Sequence, residues 1–392
     1  MVSQLKKVNP KTALEFIILL GLISLFADVT SDGARGIIGP YLAMLGASAA
    51  VVGFVAGLGE LVSYGLRIVS GYIVEFTGNY WILALLGYLV TLLAVPMLAL
   101  AGHWEFAAML IVIERLGKAM RTPARDAMLA HASQQLGRGW GFGLHKMLDQ
   151  IGAMTGPIIV TVVLYFKGTY RQSFLILIIP ALIALAILFV ARKLYPHPKD
   201  LETEFGQAKE TNQTIFTFWI YLSGAALIAA GYADFPLIAF HFQKTAIVPV
   251  IWIPILYSVA LGASGITALL FGSLFDHNGY MVLILVIIIS SLFAPLVFLG
   301  GFYLACVGMI LWGIGMGSQV SIMRAIIANM IPMDKRGSAY GIFNAGYGVF
   351  WFLGSSLMGM LYGISIVYLV IFSLIAQLLA IPLFLVVKQR AT

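Results

Sequence analysis

The sequence predicts an all-α integral membrane protein whose twelve transmembrane helices form two six-helix bundles. Three observations carry that expectation. Of 392 residues, 61% are hydrophobic and 10% charged, against roughly 25% charged in a typical soluble domain. Apolar runs of about 20 residues recur along the whole chain, each long enough to cross a hydrocarbon core of roughly 30 Å. One long polar stretch, PHPKDLETEFGQAKETNQT at 196–214, divides those runs six and six. It reads as a linker between an N-terminal bundle, 1–195, and a C-terminal bundle, 215–392.

Taken in order, the runs place helices near Leu14 to Tyr41, Ala50 to Val74, Trp81 to Ala101, Phe106 to Ala130, Gly141 to Phe166 and Ser173 to Leu194. After the linker they fall near Ile215 to His241, Val248 to Phe275, Met281 to Leu299, Phe302 to Ile331, Ser338 to Tyr362 and Ser365 to Val387. The first run follows a basic segment, MVSQLKKVNPKT, and is too long for a signal-peptide core, so it reads as an uncleaved anchor.

Orientation follows from the basic residues, because Lys and Arg accumulate in short cytoplasmic loops. Lys6, Lys7, Lys11, Arg125, Arg138, Arg192, Lys193, Lys199, Lys209, Lys335, Arg336, Lys388 and Arg390 fall on one side, with only Lys167, Arg171 and Lys244 on the other. Both termini and the linker are therefore expected in the cytoplasm of a multi-pass cell-membrane protein. The net charge of +7 belongs to this topology; no dense basic patch points to nucleic acid. The single cysteine, Cys306, excludes an intramolecular disulfide and leaves no Cys-based metal site.

A parallel internal repeat supports the division. Gly71-Tyr-Ile-Val-Glu75-Phe-Thr-Gly78 follows the second helix, and Gly272-Ser-Leu-Phe-Asp276-His-Asn-Gly279 follows the eighth. Arg138-Gly139-Trp140-Gly141-Phe142-Gly143-Leu144 enters the fifth helix, and Arg336-Gly337-Ser338-Ala339-Tyr340-Gly341-Ile342 the eleventh. Each pair is separated by about half the chain, as in two halves related by an axis along the membrane normal.

On these residues the chain resembles the major facilitator superfamily over essentially its whole length. Its G-x-x-x-D-R-x-G-R-R loop is matched in part, with Glu75 for the Asp and Phe76, Asn79 and Tyr80 in place of the basic residues. Gly152-Ala-Met-Thr-Gly156-Pro157 in the fifth helix resembles the G-x-x-x-G-P core of the drug:proton antiporter branch, and Arg115 followed by Gly117 resembles that branch's membrane-embedded Arg motif. The resemblance implies alternating access of two bundles and an Arg115 that regulates protonation of a carboxylate across the bundle.

An ionisable group within a bilayer costs several kcal/mol unless it is paired or faces water, so each is a functional candidate. In the first helix Asp28, Asp32 and Arg35 are spaced four and three apart, on one face, and form a triad able to neutralise itself. Asp28 stands roughly 20 Å from its helix start and reads as a protonatable carboxylate; Asp32 and Arg35 read either as its partners or as surface groups. In the second helix Gly53, Gly57, Glu60, Tyr64, Arg67 and Gly71 define one stripe. Its glycines permit close packing, so Glu60, Tyr64 and Arg67 line a cavity or lock the bundle internally.

In the fourth helix Glu114 and Arg115 lie roughly 14 Å from the helix start, near the midplane. Lys118 is expected to bind an anionic group or pair with Glu114, while Arg121, Arg125 and Asp126 read as interfacial anchors. In the fifth, His145 and Asp149 stand one turn apart beside Lys146, as a proton relay or as a cytoplasmic gate. Gly152, Gly156 and Pro157 are expected to bend that helix. The second half offers Asp234 and Arg324, each within snorkelling reach of an interface, and an aromatic, weakly polar cavity of Trp252, Tyr257, Gln319, Asn344, Tyr347 and Trp351.

Other classes are weaker. Gly262-Ala263-Ser264-Gly265 resembles an intramembrane serine-protease nucleophile, but no plausibly placed histidine completes it. A divalent metal exporter would draw on Asp28, Asp32, Asp234 and His241, without a spacing that selects a metal. A non-transporting membrane receptor is the remaining alternative. The expectation is thus a monomeric secondary transporter, not an enzyme, with no cofactor or bound metal. Its partners are protons, the lipid bilayer and a small-molecule substrate. Coupling falls to Asp28, Asp32, Glu60, Glu114, Arg115 and Asp149. The leading reading is proton-coupled export of a small amphiphilic organic compound; the alternative is proton-coupled uptake of a metabolite held by Arg35, Arg67, Arg115 or Lys118.

Overall fold

A computed structural model describes residues 10–133, 138–198, 215–330 and 336–391. The chain folds into α1 (Pro10–Met44), α2 (Ala49–Thr77), α3 (Tyr80–Met97), α4 (Trp104–Ser133), α5 (Arg138–Tyr165), α6 (Tyr170–Ile176) and α7 (Ile178–Leu194). It continues with α8 (Ile215–Gly231), α9 (Phe235–Thr245), α10 (Trp252–Asn278), α11 (Tyr280–Ser291), α12 (Phe293–Phe298), α13 (Phe302–Met330), α14 (Arg336–Ile364) and α15 (Ile366–Ala391). The linker beyond residue 198 and the side chains of Arg138, Asp276, Arg324 and Arg336 lie outside the described residues.

Among the described residues, eleven helical spans are long and apolar enough to cross a membrane. The twelfth crossing is α4. It is 30 residues long and packs on α2 and α3, but Glu114, Arg115, Lys118, Arg121, Arg125 and Asp126 lower its hydropathy. A polar helix of this kind is tolerated in a bilayer only when its charges face protein or water.

Three expected helices are each broken in two, between α6 and α7, α8 and α9, and α11 and α12. At the break after Gly231, Tyr232, Ala233 and Asp234 are all buried. Asp234 takes extended backbone as the N-cap of α9, and Pro236 sits in the first turn, where its missing N–H costs nothing. The carbonyl groups freed by the break are bonded from neighbouring helices, as a bilayer interior requires. Trp312 Nε1 donates to the Ala233 carbonyl at 2.9 Å and the Ser373 hydroxyl to the Gly231 carbonyl at 2.6 Å, while the Tyr232 hydroxyl returns to the Trp312 carbonyl. Trp312→Phe keeps the ring and orphans the Ala233 carbonyl. It is expected to destabilise the protein by about 1 to 3 kcal/mol, read as a lower unfolding temperature in detergent.

The helices before the linker pack among themselves, as do those after it, and the two sets meet along α2 with α14, α5 with α10 and α1 with α9. The closest approaches lie on the side away from the termini. A Cβ at Gly39 would fall on the Pro236 carbonyl oxygen, and one at Gly53 on the Ser355 carbonyl oxygen. Towards the termini, α4 has no comparable packing against any helix of the second set among the described residues. The two sets pack most closely at the end away from the termini and are more open toward them.

Within the first set, α1 and α5 share a long seam. A Cβ at Gly152 would meet the Leu25 carbonyl oxygen, and one at Gly156 the Val29 carbonyl oxygen. The helix α5 runs unbroken through Pro157, and its two glycines serve this contact by letting the α1 backbone close in.

Candidate functional site

The break between α8 and α9 delivers a carboxylate to the seam between the two sets. Asp234 is 1% exposed, and Arg35 of α1 donates to its Oδ1 at 2.7 Å. The same Arg35 nitrogen, Nη2, donates to Glu60 Oε1 of α2 at 2.8 Å. Arg115 Nη1 stands 3.5 Å from Glu60 Oε1, and its Nε 3.2 Å from Glu114 Oε2. Gly59 leaves room for this, since a Cβ there would press on Arg115 Cγ at 3.0 Å. A void of 10 Å³ lined by Arg35, Arg115 and Asp234 adjoins the pairs, about the space one water needs.

Nearer the termini lies a second layer. Asp32 accepts from the Tyr257 hydroxyl of α10 at 2.9 Å, again across the seam. Asp28 Oδ1 is 3.5 Å from Arg121 Nη2, and the Arg121 guanidinium lies over the Tyr88 ring at 4.4 Å. Lys118 is half-buried beside them. Below these, Lys146 Nζ donates to Asp149 Oδ2 at 2.8 Å, Arg125 Nη2 pairs with Asp126 at 2.9 Å, and His145 Nε2 meets the Ser24 hydroxyl at 3.0 Å.

The second set presents aromatic rings to this network. Trp351 Nε1 donates to Asp234 Oδ2 at 3.1 Å. Tyr347 packs between Trp351 and Tyr64, with ring centroids 5.6 and 5.8 Å apart, and Tyr257 stacks on Phe235 at 4.1 Å. Arg67 lies over the Tyr64 ring at 4.7 Å and donates to the Ser63 hydroxyl at 3.2 Å. Asn344 is half-buried on the same helix as Tyr347 and Trp351.

Several expectations change. Asp28, Asp32 and Arg35 share a face but do not neutralise one another: Arg35 turns to Glu60 and Asp234, and the aspartates to Arg121 and Tyr257. Asp234 does not reach an interface, because the helix break and Arg35 hold it inside. Arg121 is no interfacial anchor either, being 1% exposed. Its signal was the series Arg115, Lys118, Arg121, Arg125 at spacings of three and four, which marks one helix face. Glu114 pairs with Arg115, not with Lys118. His145 bonds Ser24, and Asp149 is held by Lys146.

Two residues stand apart from the group. Gln319 is buried within the second set and donates to Ser290 at 3.2 Å. Trp252 is 44% exposed at the start of α10, edge-on to Phe302. Ser264 belongs to a packing seam, since a Cβ at Gly317 would fall on its carbonyl oxygen. The donors considered for a metal do not converge, and among the described residues no group of three or more His, Cys, Asp or Glu is placed to hold an ion.

Comparison with known proteins agrees with this architecture. The sequence profile of the Major Facilitator Superfamily matches residues 20–304 and 252–392. An uncharacterized protein of Mycobacterium tuberculosis is 35% identical over 383 residues, covering 96% of this chain and 94% of that one. An uncharacterized MFS-type transporter of Methanocaldococcus jannaschii is 26% identical over 370 residues, 91% of each chain. Among solved structures, the nucleoside transporter NupG superposes with a TM-score of 0.72 at 14% identity, covering 96% of this chain and 98% of that one. At that identity the likeness speaks for the fold alone.

Proposed function

Because this chain belongs to the Major Facilitator Superfamily, we propose that its transport is proton-coupled and exports a small amphiphilic organic compound. The observation that carries the reading is Arg35, shared between Glu60 of the first set and Asp234 of the second. Such a bond holds the two sets together where it sits, so a proton on either carboxylate weakens the closed end. A charge-assisted hydrogen bond is worth about 1.5 to 3 kcal/mol, so its loss shifts the balance of two conformations roughly ten- to a hundredfold.

Charge supports the choice of a proton. Among the described residues the buried carboxylates are Asp28, Asp32, Glu60, Glu114, Asp149 and Asp234, while the buried guanidinium groups are only Arg35, Arg115 and Arg121. The remaining balance falls to half-buried cations at the open end, to protons, or to a cationic substrate. The aromatic surface of Tyr64, Tyr347 and Trp351 suits the apolar part of such a compound. With the termini in the cytoplasm, the open end faces the cell interior and loads substrate there.

Arg67 and Lys118, half-buried at the open end, favour a second reading in which an anionic metabolite enters with protons. Counterflow in proteoliposomes with panels of organic cations and anions, followed by flux under an imposed pH gradient, separates the two. Export predicts that an organic cation moves uphill against the proton flow and that a protonophore abolishes the movement. Uptake predicts that an anion moves with the protons and that Arg67→Gln slows it. A solute that exchanges in counterflow yet ignores every pH gradient sinks both.

A further inference from the structure

The seam between α1 and α5 brings two acidic side chains together inside the first set. Ser24 of α1 bonds His145 of α5 at 3.0 Å, and Asp28 and Asp149 stand one turn further along the same two helices, on facing sides of the seam and each at least nine-tenths buried. Asp149 Oδ2 is occupied by Lys146, but Oδ1 is buried and accepts no hydrogen bond. Arg125 Nη1 approaches it only to 3.9 Å, beyond bonding distance. An orphaned buried oxygen beside a second carboxyl group lacks one hydrogen. A proton on Asp28 supplies it, whereas two bare carboxylates facing across the seam would repel each other strongly.

We propose that Asp28 and Asp149 form a carboxyl–carboxylate pair that holds one shared proton, a site of proton exchange additional to Glu60 and Asp234. The inference rests on the proton coupling proposed above and adds a second protonation site to the Arg35 bridge. The groups that face the pair are Asp32 on α1, Lys118, Arg121, Arg125 and Asp126 on α4, and His145 and Lys146 on α5. Release breaks one carboxyl O–H bond and forms one on water. No electrons move, and the pair passes from one negative charge to two, set against the surrounding cations. The exit lies at Lys146, whose side chain is 69% exposed at the open end while its ammonium bonds Asp149.

This site is separate from the aromatic surface at Tyr64 and Tyr347, so proton and organic substrate need not share a path. Communication runs along α1. Asp32 stands one turn from Asp28 and accepts from Tyr257 of the second set. A second negative charge on the pair repels Asp32 and loads that bond across the seam.

The test is infrared difference spectroscopy on the full chain in proteoliposomes, using a pH step as the probe and [4-13C]aspartate to mark the carboxyl groups. One protonated-aspartate band is expected in the wild type, disappearing as pH rises. It should be lost in Asp28→Asn, and lost or shifted in frequency in Asp149→Asn. Glu75→Gln, outside the pair, should leave it intact. A band that persists unshifted in both Asn variants overturns the proposal. Should either variant fail to fold, the labelled wild type still decides, since absence of any titrating aspartate band also overturns it. If the band behaves as expected but no flux follows a pH gradient, the coupling reading fails and the proton pair stands. If flux follows the gradient without the band, only the pair fails.

Discussion

Replacing Arg35 by leucine is expected to abolish gradient-driven flux and to destabilise the protein by about 3 to 5 kcal/mol. The substitution leaves Glu60 and Asp234 buried without the cation that both bond through one nitrogen. Removing one partner of a buried ion pair is costly because the uncompensated charge remains. Glu60 keeps Arg115 at 3.5 Å, so the larger share of the cost falls on Asp234, which among the described residues keeps the indole of Trp351 as its side-chain donor. Stability and function come apart in a companion variant. Arg35→Leu, Glu60→Leu and Asp234→Leu together remove all three charges, and apolar replacement of a whole buried cluster is often neutral or stabilising. The triple variant is expected to recover most of the lost unfolding temperature in detergent but none of the flux. Wild-type flux in the single variant would show that the bridge across the seam has no part in transport.

The twelve crossings were legible because transmembrane helices announce themselves by length and hydropathy, and even the polar α4 kept its apolar ends. The charges were legible one helix at a time. Glu60, Tyr64 and Arg67 on one stripe, and Glu114 beside Arg115, are facts of helical periodicity. What spacing does not give is the partner on another helix. Asp28, Asp32 and Arg35 share a face and still bond to α2, α4, α9's N-cap and α10, because packing between helices, not spacing along one, decides which groups meet. The break at Asp234 was hidden by the apolar residues around it. Its signal was nevertheless present: Gly231 ends one helix, and Asp234 followed by Phe235-Pro236 is an N-cap with proline in the first turn. That signal places Asp234 at an internal helix break and not at an interface. Burial also reassigns residues that chemistry alone groups together, which is why Trp252 and Gln319 leave the aromatic surface that Tyr347 and Trp351 form.

Leucine at Gly39 is expected to hold the end away from the termini open. In the present arrangement a Cβ at Gly39 would clash with the Pro236 carbonyl oxygen and lie 2.9 Å from the Phe240 backbone nitrogen. The obstacle is backbone on α9, which cannot rotate aside as a side chain can, so the clash is relieved only by parting α1 from α9. An alternating-access protein has a second conformation in which this seam is apart, and the substitution penalises only the closed one. Overpacking typically costs about 1 to 3 kcal/mol, and about 1.4 kcal/mol is already a tenfold shift in a two-state balance. Leu42, 1% exposed near the same end, reports the change. With the lone native thiol removed by Cys306→Ser, Leu42→Cys should react slowly with a membrane-impermeant maleimide applied from that side. Adding Gly39→Leu should speed labelling at least tenfold and stop flux, since a transporter that cannot close one end cannot complete its cycle. Gly65 is the control: a Cβ there meets no atom within 4 Å, so Gly65→Leu should leave labelling slow. Unchanged labelling with flux retained in Gly39→Leu would mean that the α1–α9 contact does not gate the pathway.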